Sequence, residues 1–224
     1  DLAHAIKTPS AIMRNELSRL QSEGLAVGDA VEALDRLDAQ LKRSFARMRA
    51  DGTDASISTF TDLDDALGRM QRAFTALARN SDKVFAADIT PDLRVRMDKS
   101  DLEEVIGNLL DNALKWSRGR FEMSATLTDE PAILMCIEDD GDGIPDGDLG
   151  LATVGGQRLD SSKPGTGLGL AIASDLIHAY GGTIHLARSK KLGGLAAYVR
   201  LPVPGGPKLD MSESSLGAAP EKPA

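Results

Sequence analysis

The chain has 224 residues, 42% of them apolar, with a formal net charge of −8 and a pI near 4.9. That length allows one large or two small domains, and the acidic balance argues against a nucleic-acid surface while leaving room for a locally basic nucleotide site. The one cysteine, Cys136, excludes an internal disulfide and a cysteine-based zinc cluster; it sits in an apolar run and is expected in the core.

Residues 1–22 read as one helix. Leu2, Ile6, Pro9, Met13, Leu17 and Leu20 recur at steps of three and four, a seam close to the coiled-coil repeat. His4 lies off that seam, on the solvent side, and Thr8 is one turn along the same face, about 6 Å away. The pattern is already in phase at Asp1, so the helix is expected to continue upstream. No apolar run is long enough for a membrane span, and no signal-peptide pattern is present. Gly24 and Gly28 bracket a short break, and Asp29 is the expected N-cap of a second helix with Val31, Leu34, Leu37, Leu41, Phe45 and Met48 on its stripe. Two short amphipathic helices bury too little alone, so a homodimeric four-helix bundle through residues 1–50 is expected. The alternative is that both stripes pack on the following domain.

Residues 50–56 lose periodicity and read as a linker. A helix is expected from about Asp62 to Arg79, with Leu63, Leu67, Met70, Phe74 and Leu77 on one side. VFAADI and LRVRM are strand candidates around the turn TPD, and Ser100 with Glu103 has capping-box spacing for a helix through Trp116. FEMSATLT alternates, whereas AILMCIE is a continuous apolar run and reads as the more buried strand. Residues 140–166 are rich in Gly and Asp. A helix is expected from near Gly167 to Ala179, then a hairpin of TIHLARS and LAAYVRLPV across KKLGG. From residue 205 the chain is rich in Pro, Gly, Ser, Ala and Glu, and disorder is expected. The order is α+β after two helices, giving expected domains at 1–54 and 55–204.

Three stretches of the second domain carry chemistry. In NLLDNALKW, Asn108 and Asn112 are four apart and share a helix face with Lys115, and Glu104 is one turn earlier. Neutral oxygen donors beside a cation suit a magnesium–polyphosphate ligand, and Glu104 is placed to orient a metal-bound water. In DDGDGIP, Asp140 closes the buried strand, where a carboxylate can accept from an adenine amino group, and Gly141 and Gly143 let the backbone turn past a flat ligand; the alternatives are a simple hairpin turn or a calcium-type loop. A calcium loop would need a regular ligand ladder and a terminal Glu, both missing. In KPGTGLGLAIA, Gly165, Gly167 and Gly169 lead into an apolar helix whose N-terminus favours an anion. Neither a Rossmann fingerprint nor a Walker loop is present.

With DLAHAIKTP, NLLDNALKW, DDGDGIP and GTGLGL in succession, residues 1–203 strongly resemble the bacterial sensor histidine kinases of two-component systems, and GQRLDSSKPGTGLGL looks most like their PhoQ-like branch. The resemblance implies a dimeric helical hairpin followed by an ATP-binding α+β sandwich of the kind shared with gyrase and Hsp90. It implies His4 as phosphoacceptor and Thr8 as the residue assisting the reverse, phosphatase reaction. It further implies Asn108 and Asn112 on Mg2+, Lys115 on phosphate and Asp140 on adenine, with Gly141 and Gly143 shaping the base pocket. Gly165, Thr166, Gly167, Leu168 and Gly169 would shape the phosphate side, and residues 146–164 would form a lid carrying Arg158 and Lys163 as γ-phosphate cations. The implied partners are a second copy of the chain and a response-regulator receiver domain, with no nucleic acid. The implied location is the cytoplasmic side of an inner-membrane sensor, reached through upstream segments. Three departures stand out: Ala5 where an acidic residue usually follows the histidine, a lid without aromatic residues, and Trp116 where Tyr is more usual.

Overall fold

The computed structural model describes residues 60–130, 132–152 and 169–204, together with scattered positions between 12 and 40. His4, Thr8, Arg158, Lys163, Gly165, Thr166, Gly167 and Leu168 lie outside the described residues, as do the expected linker, most of the expected lid and the C-terminal tail.

In the N-terminal stretch the described positions among 12–22 and 28–40 are helical. The Val31 N–H already bonds the Val27 carbonyl at 3.0 Å, so the cap falls at Val27 in place of the expected Asp29. Leu34 is buried and Leu17, Leu20 and Val31 are half-buried, while Ile12, Met13 and Leu37 are exposed.

The remainder is one helical layer on one sheet. Its elements are β1 (Thr61–Asp62), α1 (Leu63–Asn80), β2 (Val84–Ile89), β3 (Arg94–Val95), α2 (Lys99–Trp116), β4 (Arg120–Leu127), β5 (Ala132–Asp139), a 3-10 turn (Asp146–Asp148), α3 (Leu149–Ala152), α4 (Gly169–Ala179), β6 (Thr183–Arg188) and β7 (Leu195–Pro202). β1 and β3 form a small antiparallel ladder, so the LRVRM strand shrinks to two residues. The main sheet has the order β2-β4-β5-β7-β6. Only β2 and β4 are parallel, Val84 opposite Arg120, and the chain crosses between them through α2. The hairpin across KKLGG is confirmed by the antiparallel β6–β7 ladder.

One face of the sheet is covered. Ile133, Met135 and Ile137 of β5, Phe121 and Met123 of β4, and Val199 and Leu201 of β7 all point under the helices and are almost wholly buried. This is the period-2 pattern of a sheet packed on one side. α2 lies centrally, packed on both α1 and α4 through Leu102, Val105, Ile106, Leu109 and Leu110. Phe85 stacks on Phe121 at 4.9 Å and meets Phe74 of α1 edge-on, tying α1 to the β2 edge.

Several local expectations are corrected. α2 is capped by Asp98, whose carboxylate accepts from the Ser100 N–H at 2.9 Å, so Ser100 sits inside the first turn. Leu77 is 46% exposed, beyond the edge of the α1 stripe. Cys136 is only half-buried, because it faces the side of the sheet away from the helices.

Candidate functional site

α2 brings most of the expected site residues to one column. Glu104, Asn108, Asn112 and Lys115 follow one another by four, four and three residues, and all are half-buried between the fully buried Leu109–Leu110 side and solvent. Asn108 lies against α4: a Cβ placed on Gly169 would sit 3.4 Å from Asn108 Oδ1. Gly169 is the first residue of α4, so the Asn108 amide abuts the positive end of that helix. The far ends of the two helices are joined as well, by the Tyr180 hydroxyl donating to buried Asp101 at 2.6 Å.

The C-terminal end of α2 meets the glycine-rich turn after β5. A Cβ on Gly141 would stand 2.5 Å from the Trp116 carbonyl oxygen and 2.8 Å from Asp139 Oδ1, so only glycine fits. Gly143 has φ of 75°, the left-handed region that glycine enters without steric cost. DDGDGIP and the start of GLAIA therefore both pack on α2, the first at Trp116 and the second at Asn108. The Lys115 ammonium rests 4.6 Å from the Trp116 ring centroid, a cation–π contact.

The two aspartates at the end of β5 point to opposite sides of the sheet. Asp139 continues the inward series Ile133, Met135, Ile137 and is only 2% exposed. Its Oδ1 accepts from the Gly141 N–H at 2.8 Å and the Leu195 N–H at 3.3 Å; among the described residues no donor reaches Oδ2. Burial pushes its carboxyl above the usual 3.8, and the two amides only partly offset that. Asp140 faces away from the helices and is fully engaged. Its carboxylate accepts from the backbone N–H of Arg118 at 2.7 Å, of Gly119 at 3.1 Å to both oxygens, and of Arg120 at 3.0 Å. Partial burial raises its pKa, but the amides of Gly119, Arg120 and Arg118 together outweigh that and hold it below 3.8. The Asp140 carboxylate is thus taken up by backbone amides, whereas Asp139 is the one turned under the helices. The signal lay in the strand phase, since counting by two from Ile133 ends on Asp139.

Two residues with no visible motif complete the surroundings of Asp139. Gly194 donates its N–H to the Asp139 carbonyl at 3.0 Å, and a Cβ there would collide with Asp139 and Gly141. Leu195, the first residue of β7, supplies one of the two amides on Asp139.

No group of three or more His, Cys, Asp or Glu that could hold a metal occurs among the described residues. A metal at this site would depend on Asn108 and Asn112 together with oxygens of the ligand, a donor set that suits Mg2+, which commonly binds through few protein groups plus phosphates.

A family model described as histidine kinase-, DNA gyrase B- and HSP90-like ATPase matches residues 97–205. The sensor protein PhoQ of Escherichia coli is 33% identical over 198 residues, 87% of this chain and 40% of that protein. The solved mycobacterial sensor histidine kinase MprB is 30% identical, with a TM-score of 0.59, covering 65% of this chain and 98% of its own. The chain belongs to the sensor histidine kinases. It spans about two fifths of the length of the curated relatives it matches. A full-length ShkA structure in complex with AMPPNP is 21% identical with a TM-score of 0.59, covering 93% of this kinase chain and 46% of its own, and shows a shared fold. No helix among the described residues of this sensor kinase chain is long and apolar enough to cross a membrane.

Proposed function

We propose that this chain is the catalytic portion of a two-component sensor, with residues 1–54 forming a dimeric phosphoacceptor hairpin and residues 55–204 an ATP-binding domain. Its reaction is transfer of the γ-phosphoryl group of ATP to His4, then from His4 to an aspartate on a response-regulator receiver domain. The observation that carries this reading is that α2 packs against both glycine-bearing segments, Asn108 against Gly169 and Trp116 against Gly141, in a chain of this family.

Each residue has a physical task. Asp139 offers a strand-end carboxylate oxygen to the adenine amino group, its other oxygen being held by the Gly141 and Leu195 amides. The α4 N-terminus and the cationic Arg158 and Lys163 would neutralise phosphate charge, and Gly165, Thr166, Gly167 and Leu168 would contribute to the phosphate side. Lys115 reaches phosphate from its place over Trp116. Asn108 and Asn112 would hold Mg2+, with Glu104 orienting a metal-bound water; that ion would supply charge neutralisation. Phosphoryl transfer depends on in-line placement and charge neutralisation more than on covalent help from the protein. The neutral imidazole of His4 forms the N–P bond as the bond from phosphorus to the β,γ-bridging oxygen breaks, ADP leaves, and the ring proton passes to solvent. Thr8, four residues after His4 in the sequence, would orient water in the reverse, phosphatase reaction. An inner-membrane location would come through segments upstream.

The test is incubation of the purified chain with γ-labelled ATP and Mg2+. Acid-labile label on the protein, absent from His4→Gln and passed on to a receiver domain, is the expected result. Phosphate release with no label on the wild-type protein would overturn the reading.

A further inference from the structure

We propose that Asp140 is a positioning residue: its carboxylate, by gathering three successive amides of the α2–β4 turn, fixes the end of α2 against the turn that carries Asp139. The inference rests on the nucleotide-binding reading above and adds to it a residue outside the ligand's own contacts.

The turn leaving α2 is gripped from two directions. On one side, Lys83 donates to the carbonyls of Leu114 and Ser117, each at 2.6 Å, and so caps the helix C-terminus. On the other, Asp140 receives the N–H groups of Arg118, Gly119 and Arg120, four contacts between 2.7 and 3.1 Å. Consecutive amides converging on an anion form a nest of the kind that elsewhere binds phosphate. Here the anion is the protein's own. The backbone is tied too, through the Asp140 N–H to the Arg120 carbonyl at 3.1 Å.

What lies beyond the turn explains why its position matters. The last two turns of α2 carry Asn112, Lys115 and Trp116, and the Trp116 carbonyl packs against Gly141 with no room for a methyl group. A shift of α2 along its axis would move Asn108 relative to Gly169 and Trp116 relative to Asp139 together. Asparagine at 140 would keep the shape and lose the grip. Its single oxygen replaces two, and its amino group would face an N–H donor. Hydrogen bonds to a charged acceptor are the strong ones, so most of the constraint goes with the charge.

The chain has one tryptophan, at the end of α2, and this makes the test direct. The full 224-residue chain is titrated with ATP and Mg2+ while Trp116 emission is followed, for wild type, Asp140→Asn and Arg118→Ala. Asp140→Asn should weaken ATP binding about tenfold and shift the Trp116 emission maximum even without nucleotide. Arg118→Ala removes an exposed ion pair with Asp142 but keeps the backbone amide, and should change neither. Wild-type affinity in Asp140→Asn, or an unmoved emission maximum, overturns the proposal. If Asp140→Asn does not fold, Lys83→Met frees the same turn from its other side. It should show the same two changes, and wild-type behaviour would again overturn the proposal. Failure of the wild-type chain to bind ATP would overturn the nucleotide reading instead, and the nucleotide-free emission would still decide the role of Asp140.

Discussion

The face of the sheet under the helices and the face turned away from them are held in different ways. Beneath the helices, Phe121, Met123, Ile133, Met135, Ile137 and Val199 pack with almost no exposure, and burial of apolar area dominates. On the open face, Glu122 and Glu138 stand directly opposite each other on β4 and β5. Like charges in that position repel. They are balanced by Arg120 and Lys191 on Glu122 and by the Ser189 hydroxyl on Glu138 at 2.6 Å. Lys191 comes from the β6–β7 turn, so this polar network ties that turn across β7 and β5 to β4. The two regimes meet at the end of β5, where Asp139 belongs to the packed side and Asp140 to the polar one. The comparison teaches that neighbouring residues of one acidic motif inherit opposite electrostatics from the faces they occupy.

The largest effect expected is on the packed side. Leu110→Ala and Met135→Ala should each destabilise the fold by about 2–5 kcal/mol, read by denaturant unfolding, because a cavity stays behind in a close-packed core. Loss below about 1 kcal/mol at both positions would break the distinction between the faces.

Next comes Asp139→Asn. Its Oδ1 can still accept from Gly141 and Leu195, so the fold is retained, while a charged acceptor for the ligand is lost. ATP affinity should fall by about 10- to 100-fold, matching a charged hydrogen bond of about 1.5–3 kcal/mol, as measured by calorimetric titration. Stability should move the other way. Because burial raises the Asp139 pKa, the folded state is favoured with that group protonated, and this contribution is lost as pH climbs above 3.8 through the folded value. Wild type should therefore lose ground to Asp139→Asn as pH rises through that window, in a comparison of melting temperatures.

Acidification tests the polar side with the opposite sign. The Asp140 carboxyl is held below 3.8. That of Glu122 is held below 4.5: burial raises it, but the bonds from Lys191 and Arg120 prevail. Both contributions are present above those ordinary values and are lost as pH falls through the lower, folded ones. Asp140→Asn should remove part of the wild-type loss of melting temperature below pH 3.8; an unchanged acid limb would contradict the assignment. The smallest effect expected is that of Lys191→Met, below about 1 kcal/mol and shrinking with added salt, since the lysine is 59% exposed.

Much of this molecule was legible because its signals are local. The three-four spacing of apolar residues marked α1, and the four-four-three spacing of Glu104, Asn108, Asn112 and Lys115 put them in one column. Hydrogen bonding within a helix makes such a face a property of sequence separation alone. Alternation marked the strands, but AILMCIE is apolar at every position before Glu138 and hid its own phase, so which of the two aspartates after it turns under the helices was not legible. Cys136 was misread for the same reason.

Sequence by itself determined the order of elements, the family and the helix face shared by Glu104, Asn108, Asn112 and Lys115, since each follows from residue types at short, fixed separations. The tertiary structure decided which aspartate turns inward, why Gly141 and Gly194 admit no side chain, and how Lys83 and Asp140 grip the end of α2. Those facts depend on groups dozens of residues apart being packed within hydrogen-bond distance. No periodicity records such encounters, because the register of one element against another is set by the packing of the whole core.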